Sequence, residues 1–319
     1  MATPGALRAQ SATDTTLVSL LRGTELGIGA LIQADALIGD DAIRDGFNLR
    51  ATRLRLRGEA PGLQFFVQTD FNRNPSVLDA RLRVPLSSKA SVVAGLYKTP
   101  FSAELIRFRG ALRTLERSRV VNALAPQRQI GVTLRADIPS SPLQFEGGLF
   151  NGPQDLQSND NNSLLYVGRL ASTLPVREGV LDVGVQAAYS NDRNVAIPPV
   201  TSSFRGQRTL VGLDAEFRNE QWVLAGTWIT ASLDPPNRSS YQPWGYYATV
   251  AYRVAPRHQL VLRLDGFSDG RAGTTEDELL VLGYNLFWTS ALKFQVNYAA
   301  EFDELDTGTL GARLQLALN

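Results

Sequence analysis

Along almost the whole chain, apolar and polar side chains occupy alternate positions. In Arg53-Leu54-Arg55-Leu56-Arg57 the odd positions are cationic and the even ones apolar. Ile130, Val132, Leu134 and Ala136 alternate with Gly131, Thr133, Arg135 and Asp137. Leu292, Phe294, Val296, Tyr298, Ala300 and Phe302 alternate with Lys293, Gln295, Asn297, Ala299 and Glu301. Successive side chains of a strand point to opposite faces, so a period of two means strands with one apolar and one polar face. Sixteen such segments are expected, at 23–35, 47–59, 62–72, 77–85, 89–98, 128–137, 142–151, 163–173, 179–190, 207–218, 221–232, 244–254, 258–268, 278–288, 291–302 and 308–318. Most run ~10–12 residues, enough to cross a bilayer when tilted. No apolar run reaches the ~18 residues of a membrane-spanning helix, which excludes helical membrane proteins but not a barrel.

The connections alternate in length. Short ones fall at Ala60-Pro61, Leu86–Ser88, Pro139–Ser141, Leu174–Glu178, Asn219-Glu220, Ala255–Arg257 and Thr289-Ser290. Long ones fall at 36–46, 99–127, 152–162, 191–206, 233–243, 269–277 and 303–307, with Arg73–Ser76 short where a long one is due. A sandwich has no reason to alternate in this way. A meander crossing a membrane does, with tight periplasmic turns and long extracellular loops. Phe65, Phe71, Trp222, Trp228, Tyr246, Tyr252, Tyr284 and Trp288 share faces with aliphatic residues, as in interfacial aromatic girdles. The expectation is therefore an all-β fold, a 16-stranded antiparallel transmembrane barrel whose polar faces line a wet lumen. A soluble sheet protein is the alternative, but sixteen strands without covering helices favour lipid.

Composition removes other classes of function. The 319 residues carry a formal net charge of +1, which argues against a nucleic-acid binder working through bulk positive charge. Without cysteine there is no disulfide, thiolate metal site or cysteine nucleophile, and the single histidine, His258, leaves no multi-histidine metal site. A barrel lipase would lack the parts for Ser–His catalysis. No cofactor or metal is expected, and the chain reads as a channel and not an enzyme. Gly27-Ile28-Gly29 lacks the third glycine and the helix of a dinucleotide site. Of 32 basic residues only Lys89, Lys98 and Lys293 are lysine, leaving 29 arginines, whose planar fork matches oxyanions. Residues 1–22 are expected to be a tail, with Ala6–Gln10 resembling the end of a secretory leader.

One segment breaks the rhythm. Between two strands, 99–127 is too long for an ordinary loop, and loops of that length usually carry function. Within it, Leu105, Phe108, Leu112, Leu115 and Val120 recur at near-helical spacing, so a helix over Ser102–Leu124 is expected to start at Ser102. Arg107, Arg109, Arg113, Arg117 and Arg119 interleave with the apolar stripe. Folded inward with that stripe against the wall, the segment would narrow the pore with arginine.

Four ordered motifs carry a family likeness. Gly95–Ser102 (GLYKTPFS), Leu115–Val132 (LERSRVVNALAPQRQIGV), Phe145–Gly152 (FEGGLFNG) and Tyr166–Leu170 (YVGRL) together resemble the phosphate-selective porins of Gram-negative outer membranes. The likeness is dense over about 90–172 and rests on strand rhythm elsewhere. It implies a sixteen-stranded barrel in the outer membrane, typically a trimer, with the third extracellular loop folded into the pore. It implies passive diffusion of anions, phosphate or other oxyanions among them. By position, Lys98, Arg107, Arg109, Arg113, Arg117, Arg119 and Arg128 match the basic constriction. Arg53, Arg55, Arg57, Arg81, Arg83, Arg135 and Arg169 are the candidates for an arginine ladder along the wall. Family members concentrate lysine in the constriction, whereas this chain places arginine there. It also ends Leu318-Asn319 and not on the aromatic residue common in such barrels.

Charge opposes charge on the polar faces. Asp70, Asp79, Asp137, Glu146, Asp182, Asp214 and Glu216 share them with the arginines, so a moderate anion preference is expected. Cross-strand salt bridging is the competing role for each wall arginine, worth ~0.2–1 kcal/mol a pair. The acidic groups Glu276-Asp277-Glu278 and Asp303, Glu304, Asp306 fall in loops, where a divalent cation bridging lipopolysaccharide is the sharper reading and solvated loop charge the simpler one. Expected partners are small anionic solutes, outer-membrane lipid and lipopolysaccharide, and two further copies of the chain. The alternative function is a non-conducting barrel acting as anchor or receptor.

Overall fold

The computed structural model describes residues 25–39, 45–152, 158–159, 161–271 and 277–318. The tail 1–22 and Glu276 lie outside the described residues. The strands are β1 (Glu25–Ile38), β2 (Gly46–Ala60), β3 (Leu63–Asp70), β4 (Val77–Ser87), β5 (Ala90–Lys98), β6 (Arg128–Asp137), β7 (Leu143–Phe150), β8 (Leu165–Val176), β9 (Gly179–Ile197), β10 (Thr201–Arg218), β11 (Trp222–Asp234), β12 (Trp244–Ala255), β13 (His258–Ser268), β14 (Asp277–Phe287), β15 (Leu292–Glu301) and β16 (Thr309–Leu318). Each pairs antiparallel with its sequence neighbours, and β1 pairs with β16, so the sheet closes into a barrel with no free edge. Closure pairs Ala30 with Leu318 and Ile38 with Leu310.

The alternation sorts side chains between two environments. Ile28, Leu56, Leu82, Leu134, Val185, Leu213, Leu262 and Leu314 stand exposed on the outer face, a continuous apolar band that water would not tolerate and lipid does. Trp222, Trp228, Phe71, Trp288 and Phe302 are exposed with them. Gln33, Asp35, Arg169, Asp214, Arg263, Asn285, Gln295 and Arg313 are buried inside.

Two loop expectations are corrected. The stretch 191–206 is not a long loop: β9 and β10 continue through it, pairing Phe204 with Val195 and Thr201 with Ile197. The reason is the same alternation, since Val195, Ile197 and Phe204 are buried and their neighbours Asn194, Ala196 and Arg205 exposed. Nor is Ser102–Leu124 one helix. It forms α1 (Ala103–Ile106), a 3-10 turn at Arg109–Ala111 and α2 (Arg119–Leu124), joined by extended backbone. Arg107, Phe108 and Leu112 have ψ between 134° and 143°, far from helical. Ser102 makes no capping bond; Ser118 does, accepting from the Val121 N–H at 3.4 Å. A continuous helix would keep its backbone groups to itself. Here several carbonyls instead accept bonds from the barrel wall.

The segment 99–127 leaves β5, runs through the interior and returns to β6. Leu105, Val120, Val121 and Leu124 pack with Phe150, Val167, Ala188, Leu210, Ile229 and Tyr247 from the inner faces of β7–β12. The extended β9–β10 hairpin adds Val195, Ile197 and Phe204 to this cluster. One half of the lumen is thus filled by an apolar core, which holds the segment in place and keeps its polar edge on the other half.

Candidate functional site

The inner wall grips the segment by its backbone. Lys293 Nζ donates to the Gly110 and Leu112 carbonyls at 3.0 and 2.9 Å, and Gln315 donates to the Gly110 carbonyl at 3.0 Å. The Leu115 N–H donates to Asn297 Oδ1 at 2.6 Å, and its carbonyl accepts from Arg313 at 2.6 Å. The Ala103 N–H donates to Asp214 at 3.2 Å. Strands β10, β15 and β16 therefore hold a segment that springs from β5 and β6, so the chain crosses the lumen. Phe108 reaches the β2 side, where the Arg55 guanidinium lies 4.3 Å from its ring centre.

Most of the expected constriction residues gather around this crossing. The Arg107 carbonyl accepts from two basic side chains, Lys98 Nζ at 2.7 Å and Arg117 Nη2 at 2.9 Å. Arg117 also donates to the Glu104 carbonyl at 3.0 Å. Among the described residues neither Lys98 nor Arg117 has a carboxylate partner. Burial lowers the Arg117 guanidinium below its ordinary value, and repulsion from Arg109, Arg128 and Arg53 adds to it, against the pull of Glu104. Guanidinium basicity is high enough that the group stays charged at neutral pH. The other basic side chains are partly neutralised. Arg113 makes a two-pronged bond to Glu216 at 2.9 and 3.1 Å, and Arg107 bonds the same carboxylate. Arg109 bonds both oxygens of Glu116 at 2.9 Å and Gln33 at 3.2 Å. Arg128 pairs with Asp79 at 3.0 Å. Arg119 is turned away to β13 and β15, with its N–H on Asp265 at 3.0 Å and its side chain on Glu301 at 3.2 Å.

The wall arginines divide into two sets. Arg53, Arg135 and Arg169 are tied across strands to Asp70, Glu146 and Asp214, at 2.8, 3.2 and 2.6 Å. Arg57, Arg81 and Arg83 have no carboxylate partner among the described residues. They follow from the register: Arg57 faces Phe66 across β2–β3, and Phe66 faces Arg81 across β3–β4. The Arg81 guanidinium sits 5.1 Å from the Phe66 ring centre, and Arg83 donates to Ser91 at 3.0 Å. These three, with Arg135 and the acids Glu25 and Glu59, line a cavity of about 520 Å³ at the short-turn end. Arg55 donates to the Leu318 carbonyl, as well as covering Phe108.

Sequence reasoning missed the acids and wall groups that place the segment. Glu104 is buried, paired with Arg263 and bonded by the Ser118 N–H at 3.0 Å and hydroxyl at 2.7 Å. Glu116 takes Arg50 at 2.7 Å in addition to Arg109. Arg313, almost wholly buried, is clamped by Asp35 at 2.7 Å. The inward parity of Asp35, Arg263 and Arg313 was readable from their strands, whereas Glu104 and Glu116 lie in the segment and have none. Which inward acid meets which arginine depends on the path of a non-helical segment, and no local signal carries that.

Comparison with known proteins decides the family. The sequence model described as phosphate-selective porin O and P matches residues 26–199. The chain belongs to that family. The match takes in the basic crossing and the arginine row but stops before Glu216, Arg263 and Arg313. This porin also shares its fold with solved barrels. The anion-selective porin from Comamonas acidovorans superposes with a TM-score of 0.68 at 13% identity, covering 92% of this chain and 99% of that one. In-vitro folded OmpT, an outer membrane protein of Vibrio cholerae, gives 0.66 at 12%, covering 92% and 98%. The outer membrane channel DcaP of Acinetobacter baumannii gives 0.64 at 12%, covering 93% and 98%. No curated protein sequence matches the chain. The protein is an outer-membrane porin of a Gram-negative cell, a channel by family and fold.

Proposed function

We propose that this porin is a passive channel that prefers small anions, inorganic phosphate and other oxyanions among them. The observation that carries the reading is the convergence of Lys98 and Arg117 on the Arg107 carbonyl, with no carboxylate on either among the described residues. An anion arriving there finds two cations already desolvated and oriented. In a narrow, low-dielectric throat their pull exceeds what the same charges exert in bulk water. The unpaired row Arg57, Arg81 and Arg83 extends the positive potential to the short-turn mouth, proposed as periplasmic. Each guanidinium can offer an oxyanion two parallel N–H bonds.

Conduction also requires that no site hold its ion too long. The carboxylates Asp70, Asp79, Glu116 and Glu216, each taking an arginine, keep the sites weak. The preference is therefore moderate. The assembly is proposed to be a homotrimer, from family membership. The long loops are proposed to face the cell exterior, among lipopolysaccharide.

Single-channel currents in planar bilayers test the reading. Added phosphate should reduce chloride current in proportion to its occupancy, and Lys98→Ala with Arg117→Ala should abolish that competition. Phosphate block that survives both substitutions would remove the pair from the account.

A further inference from the structure

The cavity at the long-loop end is built differently from the basic mouth. It encloses about 630 Å³, within the ~300–1,000 Å³ of small-molecule sites and far more than one phosphate fills. Its lining includes Arg117 and the hydrocarbon side chains of Leu37, Leu115, Leu279 and Val281. The four side chains fall into two pairs. Leu115 and Leu37 meet over Gly311, where a Cβ would fall 2.6 Å from Leu115 Cδ1 and 3.2 Å from Leu37 Cδ2. Leu279 and Val281 share the inward face of β14. Inside a water-filled lumen such a surface has no use for an inorganic ion, which gains nothing from it. It favours a solute that removes it from water.

Five acids line the cavity, Asp35, Glu116, Asp265, Glu301 and Glu304, and the first four already accept bonds from protein donors. Asp35 is held by Arg313, Glu116 by Arg50 and Arg109, and Glu301 by Arg119. Asp265 accepts the Arg119 N–H. Arg117 donates to backbone carbonyls alone. We infer that this cavity binds organic carboxylates, with the head group on Arg117 and a hydrocarbon body along Leu37, Leu115, Leu279 and Val281. The inference rests on the anion-preferring reading and narrows it: the porin concentrates amphiphilic organic anions ahead of its throat.

The test is block of chloride current in planar bilayers by acetate, butyrate and hexanoate, added to both sides of the full-length porin. All three carry the same charge and differ in hydrocarbon alone. The half-blocking concentration should fall with chain length, by up to about fourfold per methylene if each is fully buried. The double variant Leu279→Ser, Val281→Thr should flatten the series, bringing hexanoate close to acetate. A flat series in the unsubstituted porin overturns the inference, whether or not the variant folds. So does a steep series that the variant leaves steep. The zero-current potential in a KCl gradient without organic acid separates the two readings. An anion-ward potential with a flat series removes this inference alone, and a cation-ward potential removes the anion preference beneath it.

Discussion

Glu104 of the inserted segment and Arg263 of β13 form an ion pair closed off from water, their side chains 3% and 7% exposed. Burial alone would raise the Glu104 carboxyl, but Arg263 and the two Ser118 bonds outweigh it and hold the group below the usual carboxylate range. The pair ties a segment that begins at β5 to the far side of the barrel. Removing one partner leaves an uncompensated charge in the interior, a loss of about 3–5 kcal/mol. Glu104→Gln should therefore lower the urea midpoint of the detergent-folded barrel and raise single-channel conductance as the segment loosens. An unchanged midpoint would mean that the pair does not anchor the segment.

Glu216 sets how much of the loop's charge reaches the solute. It binds Arg113 at 2.9 Å and also Arg107, so one carboxylate offsets part of two cations. Glu216→Gln keeps the shape and removes the charge. The zero-current potential in a KCl gradient should move further toward chloride. A move toward potassium would show that Glu216 serves to position the segment and that its loss displaces both arginines from the path.

Acid should act through Glu116. Burial pushes its carboxyl up, but Arg50, Arg109 and Arg313 outweigh this and hold it at about 2. Because the folded value is depressed, the stabilisation is fully present above the ordinary glutamate value of ~4.3 and is lost as pH falls through about 2. The part of the acid response that Glu116→Gln removes should appear below about pH 3, in the direction that Glu116→Gln gives at pH 7. A transition centred near pH 4.5 would place Glu116 outside this network.

The row at the short-turn mouth makes a separate contribution. Arg57→Gln, Arg81→Gln and Arg83→Gln together remove three cations that have no carboxylate at ion-pair distance among the described residues. Anion preference should fall, most at low ionic strength, where the field reaches furthest. The barrel should still fold, since among the described residues none of the three holds an ion pair across strands and only the Arg81–Phe66 and Arg83–Ser91 contacts are lost. Unchanged selectivity at 0.1 M KCl would confine the filter to the crossing.

The barrel was legible because a period of two is a global property. A one-residue slip would turn every side chain of a strand to the wrong face, so Arg53, Arg55 and Arg57 can share only the lumen. The same rule carries β9 and β10 through 191–206, which was expected to be a long loop. The inserted segment resisted because its spacing fits a helix while its bonds are tertiary. Lys293, Gln315 and Asn297 bind backbone groups that a helix would have used. The basic residues were expected as one set, and the sequence did not show how carboxylates divide them. That Arg113 is offset and Arg117 is not depends on Glu216, about a hundred residues away in sequence.

The central claim is that cations gathered at the crossing make this porin prefer anions. The most direct measurement is the zero-current potential of the purified porin in a planar bilayer across a KCl gradient. The account predicts a potential with the sign set by chloride, reduced when Lys98 and Arg117 are both replaced by alanine. A potential with the sign set by potassium would contradict it.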